Sequence, residues 1–351
     1  MKIAVYTAIK NEIDNIDQWY QSCCEADIIC VADTGSTDGT LEKIKSLPKI
    51  KITETEIIPW RFDDAFNIAL YSIPSDTDTC IRLDLDERLQ PGWRTVLENV
   101  WVNGINRLRY PYIWNWNPDG SPGRQWYGDR IHSRKNYRWV GPTHEYLMCR
   151  SKENLIWTND LKIYQYPKAK SKNDLSLLIE FVNEYPHDDR ALAYLGRELH
   201  YLKKYPEAAA VLKKYLDRSK NNIERGQSYW ILAECEPENT LKYLLLSQQE
   251  LPDFREPLIK ISQYYYLRNE WNPCLEYAIK ALDITNHPMS YICEEDAWGW
   301  QPYDLAAIAS WNLEKYQDAL RYGQQAVLKH PNDERLKSNL EFYQRMITQS
   351  K

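Results

Sequence analysis

The sequence predicts an α/β domain built on a mostly parallel sheet, followed by an all-helical repeat domain. Three observations lead there. Short apolar runs alternate with helix-like stretches through the first half, strand signals stop near residue 168, and from Arg190 onward large and small residues recur in a helical frame. A chain of 351 residues exceeds one ordinary domain, and a 43% hydrophobic content can bury two cores. The expected division is 1–167 and 168–351.

The first half reads as follows. Lys2–Ile9 is a short apolar strand, Glu12–Cys24 a helix and Ile28–Ala32 a buried strand, and an Asp/Gly/Ser/Thr turn then leads into a helix over Asp38–Leu47. Lys51–Ile58 is a third strand stopped by Pro59. Asp63–Tyr71 follows as a helix, and Thr79–Leu83 is the strand that delivers the acidic stretch Leu83-Asp84-Leu85-Asp86-Glu87. Strands alternating with helices imply a mostly parallel sheet covered on both faces, and ligands of such sheets gather at the carboxyl ends of the strands. Asp33, the acidic pair and the Thr7–Glu12 loop are expected together at that edge.

In the second half, Asp174–Tyr185 is apolar at helical spacing and stopped by Pro186. Leu192, Leu195, Gly196, Leu199, Ala208 and Leu212 fit a helix-turn-helix unit of 34 residues. The frame returns at Leu258, Ile261, Ser262, Tyr265, Ala278 and Ala281, and again at Tyr303, Ala306, Ala307, Ser310, Ala319, Ala326 and Pro331. Arg225–Pro252 reads as a degenerate copy with a shortened second helix, Asn286–Gln301 as an inserted loop and Glu334–Met346 as a cap. These units resemble tetratricopeptide repeats. Small residues recur because paired helices must approach closely, and one repeat cannot bury its apolar face alone.

Composition narrows the function. A net charge of −6 and a pI near 5.7 argue against a general nucleic-acid or anionic-membrane binder. No apolar run approaches the roughly 20 residues that span a bilayer, and Lys10, Glu12 and Asp14 interrupt any signal-peptide core, so a soluble cytoplasmic protein is expected. The eight cysteines, Cys23 and Cys24 adjacent among them, lack C-x-x-C or Cys/His zinc spacing, and most of them are expected as buried thiols. With 14 Trp and 26 Tyr against 5 Phe, the chain favours rings with a polar handle, which suit carbohydrate faces and helix packing alike.

Asp84 and Asp86 carry the chemistry. Carboxylates one residue apart point to opposite faces of a strand, but both can turn to one ligand where the strand gives way to a loop. Their hard oxygens suit Mn²⁺ or Mg²⁺ bridging to phosphate oxygens, the alternative being a solvated acidic strand end. Around them stand Lys10-Asn11-Glu12, the stretch Asp33-Thr34-Gly35-Ser36-Thr37-Asp38-Gly39-Thr40, Pro59-Trp60, and Trp139-x-Gly141-x-x-His144-Glu145. In this order they resemble the family-2 glycosyltransferases of the GT-A fold, over most of residues 1–147. A subset of those enzymes is similar to this chain in carrying tetratricopeptide-like repeats. The family pattern Phe-x-x-Ala-Arg-Asn-x-Ala-Leu is met by Phe62, Ala65, Asn67, Ala69 and Leu70, while Phe66 stands where the arginine is usual. Arg61 and Arg82 are the candidates to replace it.

A nucleotide sugar needs its base recognised, its diphosphate neutralised and its leaving phosphate stabilised. Asp33 can accept a hydrogen bond from a uracil imide, or else act only as a turn residue capping the next helix. Thr7, Lys10 and Glu12 flank the base, and Asn67, Arg82 and Arg130 are further candidates for donor binding. Asp84 is expected at the ribose or the metal and Asp86 on the metal, with Glu87 supporting the loop. The resemblance implies His144 as a third metal ligand, against a purely structural histidine. It also implies inversion, which needs a base opposite the leaving diphosphate; Glu145 and Asp129 are the candidates, Glu145 preferred.

The segment from Arg107 to Glu145 supplies positive charge in Arg107, Arg109, Arg124, Arg130, Arg134, Lys135 and Arg138, opposed by Asp119, Asp129 and Glu145 and interleaved with Trp114, Trp116, Trp126 and Trp139. It reads as a phosphate- and sugar-binding region or as an aromatic-pinned solvated loop. Gly120, Pro122 and Gly123 mark a candidate lid.

The expected function is metal-dependent transfer of a hexose from a UDP-sugar to an acceptor hydroxyl or thiol, the acceptor being a peptide, a glycan or a small molecule, in a homodimer formed through the repeats. The alternatives are a tetratricopeptide-type protein-binding scaffold with a vestigial nucleotide-sugar pocket, and a nucleotidyltransferase. The last would need a Gly-rich basic loop after the first strand, which Lys10-Asn11-Glu12 is not.

Overall fold

The structure is a computed structural model that describes residues 1–117, 120–166 and 174–349. It divides into two compact units, Met1–Glu184 and Tyr185–Lys351. The expected division at 167/168 and the expected countercharge Asp119 lie outside the described residues.

The first unit contains β1 (Ile3–Ile9), α1 (Ile16–Cys23), β2 (Ile28–Asp33), α2 (Thr40–Lys45), β3 (Ile50–Glu54), α3 (Phe62–Ser72), β4 (Thr79–Arg82), β5 (Glu87–Leu89) and α4 (Trp93–Val100). It continues with β6 (Arg107–Ile113), β7 (Gln125–Ser133), β8 (Tyr137–Val140), β9 (Tyr146–Cys149), β10 (Leu155–Trp157), β11 (Ile163–Gln165) and α5 (Leu175–Glu184). Strands β3-β2-β1-β4 are parallel neighbours in that order, with Ile9 level with Asp33 and Tyr6 level with Arg82. Beyond them β7 runs antiparallel between β4 and β6, and β10, β11 and β5 complete a mixed half. Strands β8 and β9 form a separate ribbon.

Alternation along β1 builds the layers. Ile3, Val5 and Ile9 pack with Trp19 of α1, Ile44 of α2 and Trp93 of α4 on one face, while Ala4 and Tyr6 pack with Phe66 and Leu70 of α3 and Trp139 of β8 on the other. Helix α5 closes over the second layer at Gly141, whose φ of +107° needs glycine and where a Cβ would stand 2.7 Å from the Phe181 ring.

Between Arg107 and Glu145, where an aromatic-pinned loop was one expectation, the described residues include the three strands β6, β7 and β8. Arg107-Leu108-Arg109-Tyr110 alternates charged and apolar residues, so the strand period is present beneath the charge.

The second unit is helical, as expected: α6 (Asp189–Tyr201), α7 (Tyr205–Leu216), α8 (Asn222–Cys235), a 3₁₀ turn at Pro237–Asn239, α9 (Thr240–Glu250), α10 (Arg255–Tyr266), α11 (Trp271–Asp283), α12 (Glu295–Trp298), α13 (Gln301–Asn312), α14 (Tyr316–Lys329) and α15 (Glu334–Gln349). Gly196 of α6 lets α7 come close, since a Cβ there would meet Leu212 at 2.4 Å. The inserted segment is packed down. It carries α12, buries Ile292, Cys293 and Ala297, and is gripped by buried Glu256, which accepts the Glu294 N–H and the Trp298 Nε1–H at 2.8 Å each. No described helix is long and apolar enough to cross a membrane.

Candidate functional site

The parallel register brings the ends of β1 and β2 side by side, and backbone bonds knit the loops that follow. The Thr34 N–H and hydroxyl both donate to the Ile9 carbonyl at 2.9 Å, Asn11 Oδ1 accepts the Thr37 N–H at 2.8 Å, and the Glu12 N–H donates to Thr40 Oγ1 at 2.8 Å. Asp33 is 2% exposed at the end of β2. Its Oδ1 accepts the N–H groups of Gly35 and Ser36 at 3.0 Å each, while its Oδ2 is buried without a partner. Asp33 does not reach α2, whose N-cap is Gly39; the first N–H of that helix, on Thr40, is met by Asp38 Oδ1 at 3.0 Å. An unpaired buried carboxylate oxygen costs about 1–3 kcal/mol, so it marks a position where a donor belongs. Lys10 is exposed beside it and Glu12 half-buried. Thr7, expected in the same loop, instead lies wholly inside β1 with its hydroxyl turned to the Ala8 carbonyl, because β1 runs on to Ile9.

At the end of β4 the acidic stretch meets two arginines. Arg82, its side chain 4% exposed, donates through Nη1 to Glu145 at 2.8 Å and through Nη2 to both oxygens of Asp84 at 2.9 and 3.1 Å. Its guanidinium lies over Phe66 and Trp139, 3.5 and 4.6 Å from the ring centres. Arg130 donates through Nη1 to Glu87 at 2.6 Å and to Asp84 at 3.2 Å. Glu87 also accepts the Asp84 N–H at 2.9 Å, which makes it the loop support that was expected. Burial pushes the Glu87 carboxyl upward, with Arg130 opposing the shift. The Tyr112 hydroxyl contacts Glu87 at 2.6 Å and also Gln165, and Gln165 Nε2 donates to Asp86 at 2.8 Å.

Asp84 and Asp86 therefore diverge, one toward two guanidiniums and the other toward Gln165. His144, in a turn with φ of +47°, does not complete a set with them: among the described residues no three His, Cys, Asp or Glu side chains are grouped to hold a metal. The charge nonetheless fits a cation. Four carboxylates (Asp84, Asp86, Glu87, Glu145) face two guanidiniums, and a surplus remains even with Glu87 protonated. Such a donor set suits a hard divalent ion shared with a phosphate, held by one or two carboxylates, and not one caged by protein alone.

Further candidates are held by neighbouring residues. Asn67 clasps the Trp139 backbone, accepting its N–H at 2.9 Å and donating to its carbonyl at 3.0 Å, so it positions the ring under Arg82. Of the two candidate bases, Asp129 pairs with Arg109 at 3.1 Å and Arg107 at 3.5 Å, and Glu145 pairs with Arg82 at 2.8 Å beside the acidic stretch, while Arg130 turns to Asp84 and Glu87. Arg61 is engaged by Asp63, Glu180 and Glu184, so Arg82 is the guanidinium beside Phe66. The stretch read as a lid is a hairpin tip in which the Gly123 N–H donates to the Asn115 carbonyl at 2.9 Å.

Sequence reasoning did not find the support behind Trp139. Its Nε1–H donates to the Tyr6 hydroxyl at 2.9 Å, which meets His132 Nε2 at 2.7 Å, and His132 Nδ1 lies 2.8 Å from the Ser133 carbonyl. That network assigns a neutral His132 with its proton on Nδ1, and burial pushes its pKa down to about 3. No local signal links residues so far apart in the chain.

No protein-family model matches this chain, and no curated protein sequence matches it. Among solved structures it is similar to S. aureus TarS, at 13% identity and a TM-score of 0.41, over 68% of this chain and 54% of that one. It is also similar to MamA, at 15% identity and a TM-score of 0.37 over 45% of this chain and 86% of that one. A thermophilic TPR protein of Thermus thermophilus is similar at 17% identity and a TM-score of 0.34, over 48% of this chain and 88% of that one.

Proposed function

We propose that the first unit is a glycosyltransferase that moves a hexose from a UDP-sugar to an acceptor hydroxyl, and that the helical repeats dock a macromolecular acceptor or a second copy of the chain. The observation that carries this is the unpartnered Asp33 Oδ2 at the carboxyl edge of the sheet, one strand removed from the Arg82–Asp84–Arg130 cluster. A uracil N–H supplies the donor that this oxygen lacks, and the backbone bonds on Oδ1 hold the carboxylate in place to receive it.

Each group in the cluster then has a task. Arg82 and Arg130 bring two fixed positive charges toward the diphosphate, in a setting where fixed dipoles and charges need no reorganisation as the leaving group forms. Asp86, with Asp84, would hold Mn²⁺ or Mg²⁺, which when bound adds positive charge to the departing phosphate. Glu145, fixed by Arg82 at 2.8 Å, takes the proton of the attacking hydroxyl. Phe66, Trp139 and Asn67 hold Arg82 in one orientation.

The test is slow hydrolysis of a UDP-hexose by the full chain with Mn²⁺. Release of UDP that stops on chelation supports the assignment. Pyrophosphate release from a nucleoside triphosphate would indicate a nucleotidyltransferase, and inertness toward both would indicate a binding scaffold.

A further inference from the structure

A row of aromatic rings leads from the charge cluster to the surface. It begins at Tyr112, only 4% exposed, whose hydroxyl meets Glu87 and Gln165. The Tyr112 ring centre is 4.9 Å from Trp126, its cross-strand partner between β6 and β7, and Trp126 is 5.8 Å from Trp114, the planes tilted by 36° and 33°. Trp114 follows Tyr112 by two residues and so stands on the same side of the ribbon. It is 46% exposed. Tyr127, the next residue to Trp126, turns elsewhere and meets Trp157 edge-on at 4.7 Å.

The chemistry of this row selects its ligand. Trp114, at the exposed end of the row and backed by Trp126, presents a flat ring carrying the negative side of the ring quadrupole, to which the weakly positive C–H face of a pyranose is complementary. The rings themselves carry no formal charge, and the Tyr112 hydroxyl at the root of the row is already engaged by Glu87 and Gln165, so an uncharged polyhydroxyl molecule fits the row better than a charged peptide. The row starts beside Gln165, which holds Asp86, and ends in water, so it is placed to receive what arrives from solution. We infer that Trp114, backed by Trp126 and Tyr112, forms the platform on which a saccharide unit of the acceptor stacks, which would make the acceptor a glycan or a glycan-bearing molecule. This rests on the glycosyl-transfer assignment above, in which the donor sits at the Asp33 edge.

The test uses the full chain and three probes, cellotetraose, chitotetraose and maltotetraose, followed by tryptophan fluorescence and saturation-transfer NMR, with UDP titrated in parallel. The variants are Trp114→Ala and, as an exposed aromatic outside the row, Trp157→Ala. The expected result is saturable binding of at least one probe by the wild type and by Trp157→Ala, weakened by about tenfold or more in Trp114→Ala, with UDP affinity the same in all three proteins. Oligosaccharide binding that survives Trp114→Ala, or no binding of any probe by the wild type, overturns the platform. Probe binding that depends on Trp114 in a protein that fails to bind UDP upholds the platform and removes the UDP-sugar assignment instead.

Discussion

The guanidinium carbon of Arg82 lies 3.5 Å from the centre of the Phe66 ring. The position where the sequence departs from the pattern Phe-x-x-Ala-Arg-Asn is thus the position to which an arginine from β4 is delivered, and the phenyl ring is its seat. Phe66→Leu keeps most of the buried volume and removes the ring face. It is expected to lower stability by about 1–2 kcal/mol in urea denaturation, a partly desolvated cation–π contact being of that size. No change in stability would show that the ring does not hold the arginine.

Asp33→Asn separates turn from binding. The amide can keep Oδ1 as acceptor for Gly35 and Ser36 while placing an NH₂ where the unpartnered Oδ2 now stands. UDP affinity measured by calorimetry is expected to fall by about tenfold or more, or about 1.4 kcal/mol, with little loss of thermal stability. A destabilised variant with unchanged UDP affinity would make Asp33 a turn residue only.

His132 gives stability an acid limb. Its pKa is pushed down to about 3 in the folded protein against an ordinary value of 6.5, so as pH falls the unfolded chain takes up the proton first. The contribution is fully present above the unfolded value and is lost toward the folded one, at roughly 1.4 kcal/mol per pH unit inside that window. Urea midpoints collected between about pH 7 and pH 4 should fall less steeply in His132→Gln than in the wild type. Glu87, raised by burial, has the opposite sign and cancels because both proteins carry it. Parallel curves would mean that His132 is not held neutral.

Glu145→Gln retains an acceptor for Arg82 Nη1 but cannot take a proton. Turnover with donor and acceptor is expected to fall by about 10²–10⁴-fold, with UDP affinity within about twofold of wild type. Full activity in this variant would place the base elsewhere.

Much of the fold was legible because it rests on local periodicity. The apolar runs that end at Ile9, Ala32 and Leu83 became β1, β2 and β4 within a residue or so, and Gly196 and Ala208 marked the close helix pair α6–α7. What local pattern does not encode is pairing at long range. Strand β6 carries Arg107 and Arg109 on alternate positions and β7 carries Asp129 and Arg130 side by side, so charge masked them, and the Trp139–Tyr6–His132 chain joins residues more than a hundred positions apart. The acidic pair was legible as chemistry but not as geometry. Nothing near Asp84 in sequence announces that Arg130 will arrive from β7, and nothing near Asp129 announces that Arg107 and Arg109 will claim it.

The most direct measurement is calorimetric titration of UDP, GDP and CDP into the full chain, each with Mn²⁺ and again with chelator, on the wild type and on Asp86→Ala. UDP alone is expected to bind, chelation to weaken it, and Asp86→Ala to remain folded while losing the metal-dependent part. Absence of nucleotide binding under every condition would contradict a UDP-sugar enzyme and leave the helical repeats as the functional surface.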